Sequence, residues 1–295
     1  MKLLKALLFL SILTLTGCMK NDIDNCPYNV MLSFRYYGDE SFDQFSKMID
    51  GVTLYVFSND GSLVTTENIS RQSLLNNPGI NLKLQPGNYH FTCWGNAFNE
   101  TKFTGEDHLS TILLQHPNLI SGMPIPTNDQ LYFGSLDLEL PKDDILAEEV
   151  VFSSAHIHLE IYTKGTGTST QLPTIEIQNL DPQYDCIMNP TSCSKVTYCP
   201  RVSYDSEKNA TAAKLQVLRF SDDNPIKIEI KDPLNGENSI ASVNLKDFMA
   251  ANNIHVNGIH EATVKILVEF NDLGINIIIP KWESEDIGPV GPGYN

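Results

Sequence analysis

Apolar and polar residues alternate with a period of two along most of the chain, the pattern of strands that bury one face. Val30, Leu32, Phe34 and Tyr36 interleave with Met31, Ser33 and Arg35. Residues 52–57 form a second strand, and residues 63–66 return from the turn Ser58-Asn59-Asp60-Gly61, where Asp-Gly supplies the positive φ of a tight hairpin. Residues 80–84 lead through Pro86-Gly87, a type II turn pair, into 89–95, with Tyr89, Phe91 and Cys93 on one face. Residues 99–130, with Pro117, Pro124 and Pro126, read as irregular, and 131–140 restore the strand pattern.

A second run opens near Val151, with Ser153, Ala155, Ile157, Leu159 and Ile161 on one face and His156, His158, Glu160 and Tyr162 on the other. Alternation resumes at 175–177, 215–217, 226–230 and 262–270. The turn Asn271-Asp272-Leu273-Gly274 then leads to Ile275, Ile277 and Ile279, which should pair back on 262–270 in the same sheet. One helix is predicted over 244–251, because Leu245, Phe248 and Met249 share a face at i, i+3, i+4. Short strands, frequent turns and a single short helix in the second half predict an all-β fold of two antiparallel β-sandwich domains in tandem. The break at Pro141-Lys142-Asp143-Asp144 sets the expected domains at 29–146 and 147–284, with a flexible tail at 285–295.

Residues 1–17 lie outside this pattern and read as a signal peptide. Lys2 and Lys5 precede an apolar run, residues 6–15, that is too short to span a bilayer permanently. It ends in Leu15-Thr16-Gly17-Cys18, which resembles the bacterial lipoprotein box. That resemblance implies cleavage before Cys18, acylation of Cys18 and anchoring in outer-membrane lipid, with residues 18–28 as lipidated Cys and tether. Acidic residues just after Cys18 resemble a surface-export signal, implying that the protein faces the cell exterior. Several acyl chains on one residue make a stable anchor.

The chain's 295 residues allow two domains of ordinary size, and 36 acidic against 20 basic residues give a formal net charge of −16. Nucleic acid is excluded as a partner, since backbone binding requires a Lys/Arg field. An exported location permits disulfides. After Cys18, five cysteines remain. Cys26 and Cys93 could pair between neighbouring strands of the first domain, and Cys186, Cys193 and Cys199 crowd a Pro-bounded stretch that a disulfide such as Cys186–Cys199 could staple. An odd number leaves one thiol over. Without a CxxC pair or a nearby His, this cluster does not read as a zinc site.

Other pieces carry a family resemblance. They are Cys18 followed by Cys26-Pro27, residues 52–57 with Asp60-Gly61, and Leu84-x-Pro86-Gly87-x-Tyr89 leading to Trp94-Gly95-Asn96. The strand at 151–162, the helix before the last hairpin and Trp282 near the end also fit. Together they resemble the FimB-type anchor lipoproteins of Bacteroidales (type V) fimbriae. The resemblance implies two transthyretin-like sandwich domains, no catalysis, no cofactor, and a role tethering a fimbrial stalk subunit to the outer membrane, with a part in assembly, adhesion and biofilm formation. Subunits of such systems join by strand addition at open sheet edges. The 30–36 strand beside the tether is the expected docking edge.

The other chemical candidates have plain structural readings. His156 and His158 share a strand face without a third metal ligand, so no metal site is assigned. Trp94 could stack on a sugar, but its alternating context favours burial. No Gly-x-Ser-x-Gly elbow or phosphate loop stands in a recognisable context. Asn68, Asn99 and Asn209 open glycosylation-type triplets that a bacterial lipoprotein rarely uses. The alternative function is a surface glycan-binding lipoprotein of a nutrient-uptake system.

Overall fold

The computed structural model describes residues 26–166, 170–191 and 194–281. The signal peptide, Cys18, Cys193, Trp282 and the 285–295 tail lie outside the described residues.

The first sandwich opens with β1 (Val30–Arg35), α1 (Phe45–Met48), β2 (Val52–Ser58) and β3 (Leu63–Ile69). It continues through α2 (Arg71–Asn76), β4 (Gly79–Leu82) and β5 (Gly87–Gly95). Then come β6 (Lys102–Thr104), β7 (Leu113–Gln115), α3 (Pro117–Ser121) and β8 (Tyr132–Leu140). Strands β9 (Leu146–Val151) and β10 (Ser153–Ser154) complete it. Sheet order is β4-β1-β9 on one layer and β10-β8-β5-β2-β3 on the other. Between them lies a core of Val30, Leu32, Phe34, Leu54, Val56, Phe91, Cys93, Val150 and Phe152.

The second sandwich begins with β11 (His156–Lys164), β12 (Thr174–Leu180), β13 (Gln183–Asp185), β14 (Val196–Tyr198) and β15 (Val202–Asp205). It ends with β16 (Ala210–Leu218), β17 (Lys227–Lys231), β18 (Ser239–Asn244), α4 (Leu245–Ala251), β19 (Thr263–Asn271) and β20 (Gly274–Ile278). Its sheets, β15-β16-β11-β19-β20 and β14-β12-β17-β18, enclose Ile157, Leu159, Ile161, Ile228, Val243, Val264 and Ile266. Helix α4 forms where its apolar spacing predicts it: Asn244 caps it by accepting from the Asp247 N–H at 3.1 Å, and Leu245, Phe248 and Met249 are buried. The predicted hairpins also form: Gly61 takes φ +84°, and β19 pairs with β20 from Asn271↔Gly274 to Leu267↔Ile278.

Three expectations change. Strand β9 pairs in parallel with β1 over Val30↔Leu146 to Arg35↔Val151, and β10 pairs with β8, so the first domain extends to Ser154 rather than ending at residue 146. Pro141–Asp144 lies in the turn between β8 and β9, because Val150 and Phe152 belong to the first core. The sandwiches are not purely antiparallel: β11 and β19 also run parallel. The segment expected to be irregular holds β6, β7 and α3, which are too short to show a period. With β13 from the second domain they make a third, small sheet ordered β13-β7-β6.

Candidate functional site

The surfaces available for function are set by how the two sandwiches join and which sheet edges the join leaves open. The small shared sheet lies over the outer face of β2 and β5. Its strand β13 from the second domain pairs with β7 from the first over Gln183↔Gln115 to Asp185↔Leu113. Beneath it Trp94 is fully buried, 4.9 Å from the Phe133 ring and 6.0 Å from that of Tyr184. Trp94 is therefore a joint between domains and not a sugar platform.

A polar clamp closes the rest of the seam. The Tyr36 hydroxyl donates to Glu261, and the Tyr132 hydroxyl reaches the same oxygen at 3.2 Å. Burial pushes the acidity of both phenols far out of the working range, and the neighbouring Glu261 carboxylate pushes in the same direction. Asp39 accepts the His260 and Glu261 backbone N–H groups, each at 2.9 Å. Burial opposes its charge, but those N–H bonds prevail and hold its carboxyl below the usual range. Arg219 donates to the His156, Val256, Ile259 and His260 carbonyls, tying the loop before β19 to the start of β11.

His156, on the face of β11 opposite Ile157 and Leu159, is buried here. Its Nδ1 donates to the Leu131 carbonyl at 2.9 Å while Nε2 stands 4.0 Å from Glu261. Burial lowers its pKa against the raising pull of that carbonyl and Glu261. His158 instead contacts Gln216 at 2.6 Å and Glu160 at 3.2 Å, so the two imidazoles do not converge.

The described cysteines, Cys26, Cys93, Cys186 and Cys199, are all free thiols, so the expected pairings are not formed. Asn29, just after Cys26, is bound to Leu84 near the Gly87 end of β5, at 2.8 and 2.9 Å. Cys93 lies six positions along that strand, about 20 Å at ~3.4 Å per residue, beyond the roughly 7 Å Cα reach of a disulfide. Cys186 instead meets the Thr92 hydroxyl at 3.3 Å, and burial pushes its thiol up to about 11. Cys199 donates its N–H to Ile125 at 2.8 Å.

That Ile125 contact begins a strap. Ile125 bridges to Tyr198, and Asn128 donates to the Gln216 carbonyl at 2.9 Å. The first domain thereby closes one side of the second sandwich, between β14 and β16. Among the described residues the opposite side is left open: β20 covers only Leu267–Asn271 of β19, and β18 is the end strand of its sheet. The expected docking edge is not available, since β1 lies between β4 and β9 with both sides hydrogen bonded. Sequence reasoning missed this because alternation marks a strand's faces, not its neighbours.

A groove of about 440 Å³ lies on the first sandwich, where Asn59, Asn88, His90, Asp137 and Glu139 stand beside the apolar Tyr89, Leu109 and Leu138. His90 and Asp137 face each other across β5 and β8 at 2.6 Å. Among the described residues no helix is long and apolar enough to cross a membrane, and no group of three or more His, Cys, Asp or Glu side chains could hold a metal.

The same double sandwich occurs in solved bacterial proteins. A proposed polysaccharide-binding protein from Bacteroides thetaiotaomicron matches with a TM-score of 0.69 at 16% identity, covering 86% of this chain and 98% of that one. A proposed adhesin from Bacteroides ovatus gives 0.70 at 18%, covering 86% and 93%. The fimbrial anchor protein Mfa2 from Porphyromonas gingivalis gives 0.65 at 12%, covering 86% and 96%. At these identities the likeness establishes the fold, that of a tandem β-sandwich protein. A family model adds sequence to fold: that of the fimbrillin-A associated anchor proteins Mfa1 and Mfa2 matches residues 23–288, and the chain belongs to this family. None of the curated proteins compared with the chain matched it.

Proposed function

We propose that the protein is the outer-membrane anchor of a fimbrium. It is acylated at Cys18, faces the cell exterior, and tethers a stalk subunit whose assembly, adhesion and biofilm formation it supports. The family match over residues 23–288 carries this reading. The clamped seam agrees with it, since a tether under load needs two domains that move as one. Replacing Cys18 with Ala should release the protein from the membrane fraction, and deleting the whole chain should shed fimbriae into the medium. Retention of the Cys18→Ala protein in outer-membrane lipid would overturn the lipid anchor, and fimbriae that stay attached after deletion would overturn the tether.

A second reading, a glycan-binding surface protein, draws on the polysaccharide-binding description of the B. thetaiotaomicron structure and on the groove beside His90 and Asp137. Titration calorimetry of the full chain with oligosaccharides tests it. Measurable heats lost in Asp137→Ala would favour it over the anchor.

A further inference from the structure

The strand registers give the molecule a direction. β1 and β9 run in parallel from the end where Asn29 meets Leu84 toward the seam at Tyr36. The chain then passes through β10 into β11, which leaves the seam at His156 and ends at Lys164, with β19 parallel to it. Leu146 to Lys164 is thus one outward path, at most about 60 Å long at ~3.3 Å per residue. Asn29 stands at one pole, and the β15–β16, β17–β18 and β19–β20 turns stand at the other.

Among the described residues, the two most exposed large apolar side chains both lie at that far pole. Leu273, on the β19–β20 turn, is 100% exposed, and Leu234, on the β17–β18 turn, is 77% exposed. Neither turn needs a leucine to form. Asn271 accepts the Leu273 N–H at 2.9 Å, and Gly274 supplies φ +133°. Asp232 accepts the Leu234 N–H at 2.8 Å, and Asn235 accepts that of Glu237 at 3.2 Å. These bonds hold both leucines on braced backbone, which lowers the ordering cost of docking. The strap closes the β14–β16 side, so the β17–β18 and β19–β20 hairpins share the side that the described residues leave open. Asp232, Glu237 and Asp272 stand on the same two turns as the leucines and give them negative charge, while Lys231 and Lys208 are engaged with Glu176 and Asp205.

We infer that the stalk subunit docks on these two turns, taking Leu234 and Leu273 into apolar pockets rimmed by Lys or Arg. The inference rests on the anchor reading and adds to it the pole, the residues and the partner's complementary charge. The test is made on cells carrying the full chain with Leu234→Asp and Leu273→Asp together, scored by fimbriae shed into the medium. Shedding should rise roughly tenfold or more, while the amount and melting temperature of the anchor stay unchanged. Val64→Asp, an exposed site on β3 of the first sandwich, should leave attachment intact. Wild-type attachment in the double variant, in cells where whole-chain deletion does shed fimbriae, would overturn this surface and leave the anchor reading standing. No shedding on whole-chain deletion would overturn the anchor reading itself. Should the double variant misfold, Leu273→Cys labelled with a benzophenone maleimide decides. Light should join it to a fimbrial subunit above the unsubstituted background, and a yield no higher than that background overturns the proposal.

Discussion

In both sandwiches the opening strand, β1 or β11, is held between an antiparallel neighbour and a late strand that returns parallel to it. Their outer faces differ. In the first sandwich, β2 is buried at six consecutive positions and β5 at its last five, because the shared β13-β7-β6 sheet covers them. In the second, the described residues leave on the outer face of the β11 sheet a small patch of Tyr162, Ala210, Ala212 and Leu267, with the Lys214 ammonium 5.8 Å from the Tyr162 ring centre. The first domain's covering layer is its own β6 and β7 completed by β13 from the second, while the second receives mainly the Ile125–Asn128 strap in return. The first sandwich should therefore depend more on the seam.

The largest test of that asymmetry is Trp94→Ala, which empties the space under the shared layer. It should cost about 3–5 kcal/mol in urea unfolding, with the loss falling on the first sandwich. A change under about 1 kcal/mol would mean that the third layer is not core. Next is Tyr36→Phe, which deletes one arm of the clamp on Glu261. A loss of roughly 1–2 kcal/mol is expected, together with separation of the two domains' unfolding transitions in calorimetry.

The seam also has a pH signature. His156 has a lowered pKa when folded, so the unfolded chain takes up the proton first, and stability present above pH ~6.5 falls as pH drops below that value. The slope for one proton is at most about 1.4 kcal/mol per pH unit. Melting temperatures between pH 7.5 and 5.5 should show it, and His156→Gln should flatten the profile. The smallest effect belongs to Asn244→Ala, which removes the α4 cap at a cost of about 1 kcal/mol. Because α4 lies away from the shared layer, only the second transition should move. A matching shift in the first would argue that the domains are coupled equally in both directions.

Much of this architecture is legible in the residues. The alternations at 30–36 and 262–270 mark real strands, Gly61 and Gly274 mark real turns, and α4 lies within a residue of its predicted start. The family was legible through its motifs more than through any single chemical group. What could not be read was partnership. Trp94, Phe133 and Tyr184 meet across 90 residues of sequence, and nothing local to any of them announces the others.

The sequence by itself determined the local terms: which residues pleat, where the chain turns, which face of each strand is apolar and where one helix starts. These depend on side-chain period and backbone φ preference over a few residues. The tertiary structure alone decided that β9 belongs to the first domain, that β1 is an interior strand, that His156 is buried, and that Cys26 and Cys93 stay apart. Each of these depends on which distant strand lies alongside. A period of two says that a face must be covered, and only the packed chain says by what.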